Sequence, residues 1–583
     1  MPFDILPASN GEFVPPPATA RERTIMRLQD EEAERVRRKL GLSRREFVRT
    51  AAAYAVGLWA IDQLSPGRFG RYAWAAGGRT PAACDLEFPG AQLNNLPGEF
   101  VFDVQSHHVE SDGAWRVTNP YFSAILGGLF DQAAPAGGFP GVGPDGQPYF
   151  FGKGGEVDPI ENLSRYHYLK ELFLDSATVT AVLSAVPSAP DTTQPLPVAG
   201  AAETVELVNR MARSQRCVMH AFVMPNRGAT SRSSPGARPR YQDEEFDLMG
   251  ERAELYRGIL RGWKLYPSWG DIPYASGWFF DDDIGMATLE QVLNVRQDTG
   301  VPPVVAAHKG FVFPGFDYQT AACRDVGPAA RQYPDVRFLI YHSGYVAEPV
   351  RPYPGDDRAD SAALGIDGLI KSLRENHWDA DSFVPPGLEH GNSPNVYAEL
   401  GGTWWLNMGN PDRAGHLIGK LVRHVGPRRV VWGTDSLWFG SPQPQIVALR
   451  ALELTEEAKA LYHLPYGLDG DRFDPTRNAL SGSSYLEPHS SPALGDWPTD
   501  GVAHPERSIR NGILGRNAAE AYEIDPDAVR HALDCDEVQK MRDAYILNPA
   551  TPRESAPQAS NHVNGPRSRR ELLRLRASQP WGP

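Results

Sequence analysis

Thiols are scarce in this chain: its 583 residues hold four cysteines, Cys84, Cys217, Cys323 and Cys535. They lie far apart and form no CxxC pair, which argues against a dense disulfide framework and a thiolate metal site. Basic residues are outnumbered, 58 Lys and Arg against 72 Asp and Glu, for a formal charge of -14. A general nucleic-acid binder needs a basic face, so no nucleic-acid partner is expected. Long apolar runs are missing as well. Residues 51–61 are too few to span a bilayer unaided, and Asp62 ends the run. No internal repeat is visible. Glycine and proline, by contrast, are plentiful at 56 and 52, which points to long, irregular loops. The 41% hydrophobic and 22% charged fractions are those of an ordinary globular protein with a large core.

The N-terminus carries its own pattern. Residues 1–19 are rich in Pro, Ala and Gly and are expected to be disordered. A charged, helical run follows over 21–40. Then Ser43-Arg44-Arg45-Glu46-Phe47-Val48-Arg49 precedes the apolar segment Ala51 to Ile61. Paired arginines, an aromatic two positions on and a modest apolar region resemble a twin-arginine export signal. Ala73-Trp74-Ala75 would supply an A-x-A cleavage site. The alternative is a basic helix leading into a core helix. Residues 1–76 are thus expected to be leader and signal, with twin-arginine export machinery as a partner and a periplasmic or extracellular destination.

Beyond residue 98, apolar runs alternate with helical stretches. The first run, Phe100 to Val104, leads into Gln105-Ser106-His107-His108. Residues two apart on a strand share a face, so Gln105 and His107 are expected to point the same way. Further runs cover 177–186, 216–224, 262–267, 301–308, 336–342, 395–400 and 429–435, with helices expected over 202–214, 244–260, 286–299 and 412–425. Strands apolar on both faces, alternating with helices, predict a parallel sheet covered by helices. Eight of them suit an α/β fold of the (β/α)8 TIM-like barrel type with long loop insertions. In such a barrel the C-terminal strand ends face the active site. Those ends carry Gln105 and His107, Lys264, His308, His342 and Asp435. Imidazole and carboxylate are the donors a borderline divalent ion prefers.

The motifs Asp103-Val104-Gln105-Ser106-His107, Gly262-Trp263-Lys264-Leu265-Tyr266-Pro267, Ala307-His308, Tyr341-His342-Ser343-Gly344 and Trp432-Gly433-Thr434-Asp435 occur in that order, and Gly512 to Ala519 closes the series. The chain resembles the amidohydrolase-related branch of the metal-dependent hydrolase superfamily over about 98–525. That branch includes aminocarboxymuconate-semialdehyde and resorcylate-type decarboxylases. The resemblance implies one divalent metal ion, zinc or alternatively manganese, on His107 and His308. Asp435 would be a ligand that also orients or deprotonates water, and His342 a ligand or a general acid or base. Lys264 would meet an anionic substrate group or, as a carbamate, bridge two metals; a buried lysine paired with an acid is the structural alternative.

Gln105 departs from the family's usual His or Glu. Three outcomes are open: it ligates through its amide oxygen, it hydrogen-bonds bound water, or the site has lost its metal. His108 could replace it only if the strand bulged. The implied function is metal-dependent hydrolysis of an amide, ester or lactone-type bond in a small, aromatic-tolerant substrate. Non-oxidative decarboxylation of a carboxylated aromatic or enol acid is the runner-up, and a metal-free barrel that binds a small molecule is the third reading. Loop aromatics, among them Trp269, Trp405, Trp438 and Phe439, are candidates to line the mouth, and Arg165 and Lys309 to meet a substrate carboxylate. An insertion at about 463–508 reads as a lid or a surface excursion. Residues 526–583 read as an accessory helix and flexible tail, and a homo-oligomer is the remaining partner expectation.

Overall fold

The computed structural model describes residues 3, 5–6, 15, 17–47, 50–72, 98–119, 122, 126, 160, 163–187, 193–229, 238–270, 276–312, 316–346, 365–376, 395–462, 464–470, 472, 505–547 and 570. Outside them lie the Ala73-Trp74-Ala75 motif, most of the 463–508 insertion and nearly all of the tail beyond 547.

Eight parallel strands form one sheet in strict sequence order. They are β2 (Phe102–Ser106), β3 (Thr180–Leu183), β4 (Cys217–Phe222), β5 (Leu260–Leu265), β6 (Val304–His308), β7 (Arg337–Tyr341), β8 (Val396–Glu399) and β9 (Val430–Val431). The edges meet: Val104 N donates to Trp432 O (3.0 Å), Asp435 N to Gln105 O (2.9 Å) and His107 N to Ser436 O (2.5 Å). The fold is therefore the (β/α)8 barrel that the alternation predicts. One apolar cluster joins Phe102, Val104, Val218, Val304, Leu339 and Val431 to Ala518 and Tyr522 of the helix Asn517–Tyr522. A Cβ added at Gly515 would stand 2.0 Å from Phe100 O, so this helix abuts the start of β2. The C-terminal ends of the strands lie at the opposite end.

Several elements begin or end where the backbone chemistry requires. The run 301–308 becomes a strand only at Val304, because Pro302 and Pro303 have no N–H to give the ladder. The helix expected over 244–260 is Gln242–Leu255, and a turn containing Gly258 at φ 93° then delivers the chain into β5 two residues early. The helix Val198–Ala212 starts behind Pro197, four residues before the expected position.

The N-terminal segment folds onto the barrel. Helix α1 (Ala20–Lys39) opens with a capping box between Thr19 and Glu22, and α2 (Arg44–Phe47) and α3 (Ala51–Asp62) follow. Ala52, Ala53 and Val56 pack with Ala33 and Val36 of α1. Leu58, Ala60 and Ile61 join the large cluster outside the barrel. Arg21 donates to Leu64 O (3.0 Å), Gly409 O (3.1 Å) and Ile61 O (3.4 Å), which ties the end of α3 to the barrel. The short strand β1 (Gly70–Tyr72) then pairs antiparallel with β10 (Leu452–Leu454). The apolar core of the signal-like segment is thus buried. No helix among the described residues is long and apolar enough to cross a membrane.

Candidate active site

Five of the six marked side chains meet at the C-terminal mouth. Gln105 Nε2 donates to Asp435 Oδ1 at 2.9 Å and lies 3.4 Å from His342 Nε2. His107 Nε2 stands 3.3 Å from the same Asp435 oxygen, and His308 Nδ1 stands 3.3 Å from His342 Nε2. All are buried. Lys264 lies alongside, its Nζ 3.6 Å from the centre of the Tyr341 ring and 4.4 Å from that of Tyr266.

Neighbouring backbone sets the ring orientations. His107 Nδ1 donates to Ser184 O at 2.7 Å, so in the neutral ring the lone pair is on Nε2, facing Asp435. His342 Nδ1 donates to Gly401 O at 2.6 Å, which likewise leaves its lone pair on Nε2. His342 and Asp435 both hold left-handed backbone, φ 61° and 59°, a conformation that non-glycine residues adopt at a cost. Asp103 fixes the seam beneath them. Its carboxylate accepts from Gln105 N (3.1 Å), Thr434 N (3.1 Å) and the Thr434 hydroxyl, linking the first strand of the barrel to the last.

The charge states differ across a few ångströms. Burial works to raise the Asp435 carboxyl, but the hydrogen bond with His107 and the charges of His342 and His308 hold it below its ordinary value. Asp435 is therefore ionised at neutral pH. Burial pushes Glu399 well above the carboxylate range, despite bonds from His342 N (2.8 Å) and Gly401 N. Asp103 is raised by burial to about 7, opposed by its bonds from Thr434 and Gln105. His308 is driven well below its usual value by burial and by the charge of Lys264. One ionised carboxylate thus sits beside a neutral His308 ring.

The model of the amidohydrolase family matches residues 251–524. That span carries the chain's likeness to the amidohydrolase family. Its members are enzymes, and they usually bind a divalent metal. The matched span holds Lys264, His308, His342 and Asp435, while Gln105 and His107 precede it. Among solved structures, the chain is similar to 5-carboxyvanillate decarboxylase LigW from Sphingomonas paucimobilis, at 14% identity and TM-score 0.34, over 73% of this chain and 99% of that one. A protein from Pseudomonas putida assigned as 2-pyrone-4,6-dicarboxylic acid hydrolase shares 15% identity at TM-score 0.30, over 62% and 97%. The 2,6-dihydroxybenzoate decarboxylase from Rhizobium shares 11% at TM-score 0.28, over 63% and 99%. At these scores the likenesses carry no functional weight. Among curated proteins no sequence matches.

Three sequence candidates lie elsewhere in the chain. His108 turns from the site: its Nε2 is 2.9 Å from Thr204 Oγ1, and burial lowers it to about 3. Lys309 is buried on Asp325 at 2.9 Å and on two carbonyls, and Arg165 pairs with Glu203 at 3.1 Å. Neither basic group is placed to greet a substrate. Of the loop aromatics, Trp438 stacks on His107 with centroids 5.5 Å apart, while Trp115, Trp263, Trp278 and Trp404 are buried packing residues. Sequence reasoning passed over Tyr266, which stacks on His308 at 4.7 Å, and Glu399. Glu399 was findable, since it is an acid at a strand end like Asp435.

A lone pair on His107 Nε2 facing an ionised carboxylate oxygen at 3.3 Å requires a positive charge between them, a proton or a cation. Two tetrahedral ligands of one zinc ion, each bonded at about 2.0–2.1 Å, lie roughly 3.3 Å apart. Asp435 Oδ2 is buried with no hydrogen-bond partner. The donors fit an ion in type and in this one spacing. No preassembled group of three or more His, Cys, Asp or Glu ligands occurs among the described residues.

Proposed function

We propose that this protein is a metal-dependent hydrolase of the amidohydrolase type, acting on an amide, ester or lactone-type bond of a small substrate with an aromatic or apolar body. The observation that carries the reading is the ionised Asp435, held between His107 and Gln105 with Oδ2 unpartnered in a buried site. His107, His308 and Asp435 would hold one divalent ion, zinc or manganese. When bound, such an ion lowers the pKa of water toward neutrality and polarises a carbonyl. Asp435 accepts the proton of an attacking water at its carboxylate. His342 receives or returns a proton at Nε2, its Nδ1–H being fixed on Gly401 O. The faces of Trp438 and Tyr266, stacked on the two histidines, exclude water and favour a flat ligand.

Decarboxylation of an aromatic or enol acid is the second reading, favoured by the buried Lys264 amine beside the site, an attraction for a substrate carboxylate. One experiment separates the readings. The purified protein, reconstituted with zinc or manganese, is offered aryl esters, lactones and hydroxylated benzoates while acid release and carbon dioxide are both followed. Hydrolysis predicts acid without carbon dioxide; decarboxylation predicts the reverse. Activity that persists fully after chelation and dialysis would overturn the metal-dependent reading.

A further inference from the structure

The family's usual ligand position after the first strand is occupied by Gln105, and the side chain presents its nitrogen there. Gln105 Nε2 donates to Asp435 Oδ1 at 2.9 Å. A carboxylate oxygen accepts, so it pairs with the amide N–H, and turning the amide over would set acceptor against acceptor. The amide oxygen points the other way, buried and with no hydrogen-bond partner, toward Gly401. A Cβ at Gly401 would stand 2.2 Å from it, so only glycine leaves room for this rotamer. The same Gly401 accepts from His342 Nδ1 through its carbonyl and donates to Glu399 through its N–H. Neighbouring backbone and Asp435 together select one face of the amide.

We propose that Gln105 is a positioning residue and not a ligand: it donates to Asp435 and fixes that carboxylate. This rests on the metal-dependent reading above. A donor behind a ligating carboxylate tunes affinity without changing the coordination number.

The test uses Co2+ as the probe on the full chain, in wild type, Gln105→Leu and the similarly shaped Gln105→Met, with circular dichroism as the folding control. The visible Co2+ absorption reports coordination number, being more intense for four ligands than for five or six. The expected result is one Co2+ per chain, the same band position and intensity in all three proteins, and an affinity loss of about ten- to hundred-fold in the variants. Gln105→His, which adds an imidazole, should shift the band. A band that changes position or intensity in either the Leu or the Met variant makes Gln105 a ligand and overturns the proposal alone. No Co2+ bound by wild type overturns the proposal and the metal-dependent reading together.

Discussion

Asp435 draws its properties from three strands at once. It follows β9, takes a hydrogen bond from Gln105 on β2, and feels the histidines at the ends of β6 and β7. Asp435→Asn nearly preserves shape but removes the charge and the proton acceptor. Turnover should fall by about 10²- to 10⁴-fold with the circular dichroism spectrum unchanged; full activity in the folded variant would remove Asp435 from the chemistry. Glu171 offers a contrasting carboxyl. It is buried, both oxygens lack hydrogen-bond partners, and burial raises it to about 8, against the charge of Lys170. Between the ordinary 4.5 and about 8, the unfolded chain releases this proton while the folded chain keeps it. Stability contributed by the neutral form is therefore lost as pH rises through that window, on the order of 5 kcal/mol in all. Glu171→Gln cannot ionise and should flatten the fall of melting temperature from pH 5 to pH 8. An unchanged slope would show that Glu171 does not titrate as described.

At the scale of elements, the barrel strands were legible because a parallel strand is buried on both faces and reads as a short apolar block. Their ends were less so. The start of β6 depends on which residues can donate to the ladder, and the entry to β5 depends on a left-handed glycine. His107, His308, His342 and Asp435 could be picked out because ligand-type residues at successive strand ends are an unusual pattern. The direction of the Gln105 amide was not legible, since it follows from Asp435, 330 positions away. Lys309 and Arg165 looked available for a similar reason: Asp325 and Glu203 neutralise them only in three dimensions. Burial of α3 was also hidden, because a signal's apolar stretch and a core helix share one composition. The Arg21 latch gives this element a test. Arg21→Ala removes donors to Ile61, Leu64 and Gly409 carbonyls. Limited proteolysis should then cut between α3 and β1 at least several-fold faster, with β5 to β9 still protected; an unchanged pattern would mean the latch is dispensable.

For the whole molecule, one helix is asked to serve two purposes. Export through a twin-arginine route is proposed from Arg44-Arg45 and the apolar run behind them, and that route carries folded cargo. Yet α3 buries Val56, Leu58 and Ile61, and the strand that follows it extends the barrel's small outer sheet through β10. Burying each such side chain is worth roughly 1.5–3 kcal/mol, so removing the arm should cost on the order of 5 kcal/mol and uncover apolar barrel surface. Deletion of residues 1–72 is therefore expected to lower the melting temperature by many degrees and to promote aggregation. The arginine pair supplies the second arm of the experiment. Arg44→Lys with Arg45→Lys keeps the charge and loses the planar guanidinium fork, so the exported fraction should fall sharply while the cell-retained protein stays folded. Intact mass of the exported wild type then decides how the two purposes coexist. A mass that includes residues 20–72 means that the arm is carried across as part of the fold. A mass beginning after β1, with unchanged melting temperature, would show that the packing of α3 adds nothing to the mature protein. Normal export of the double lysine variant would remove the twin-arginine proposal itself.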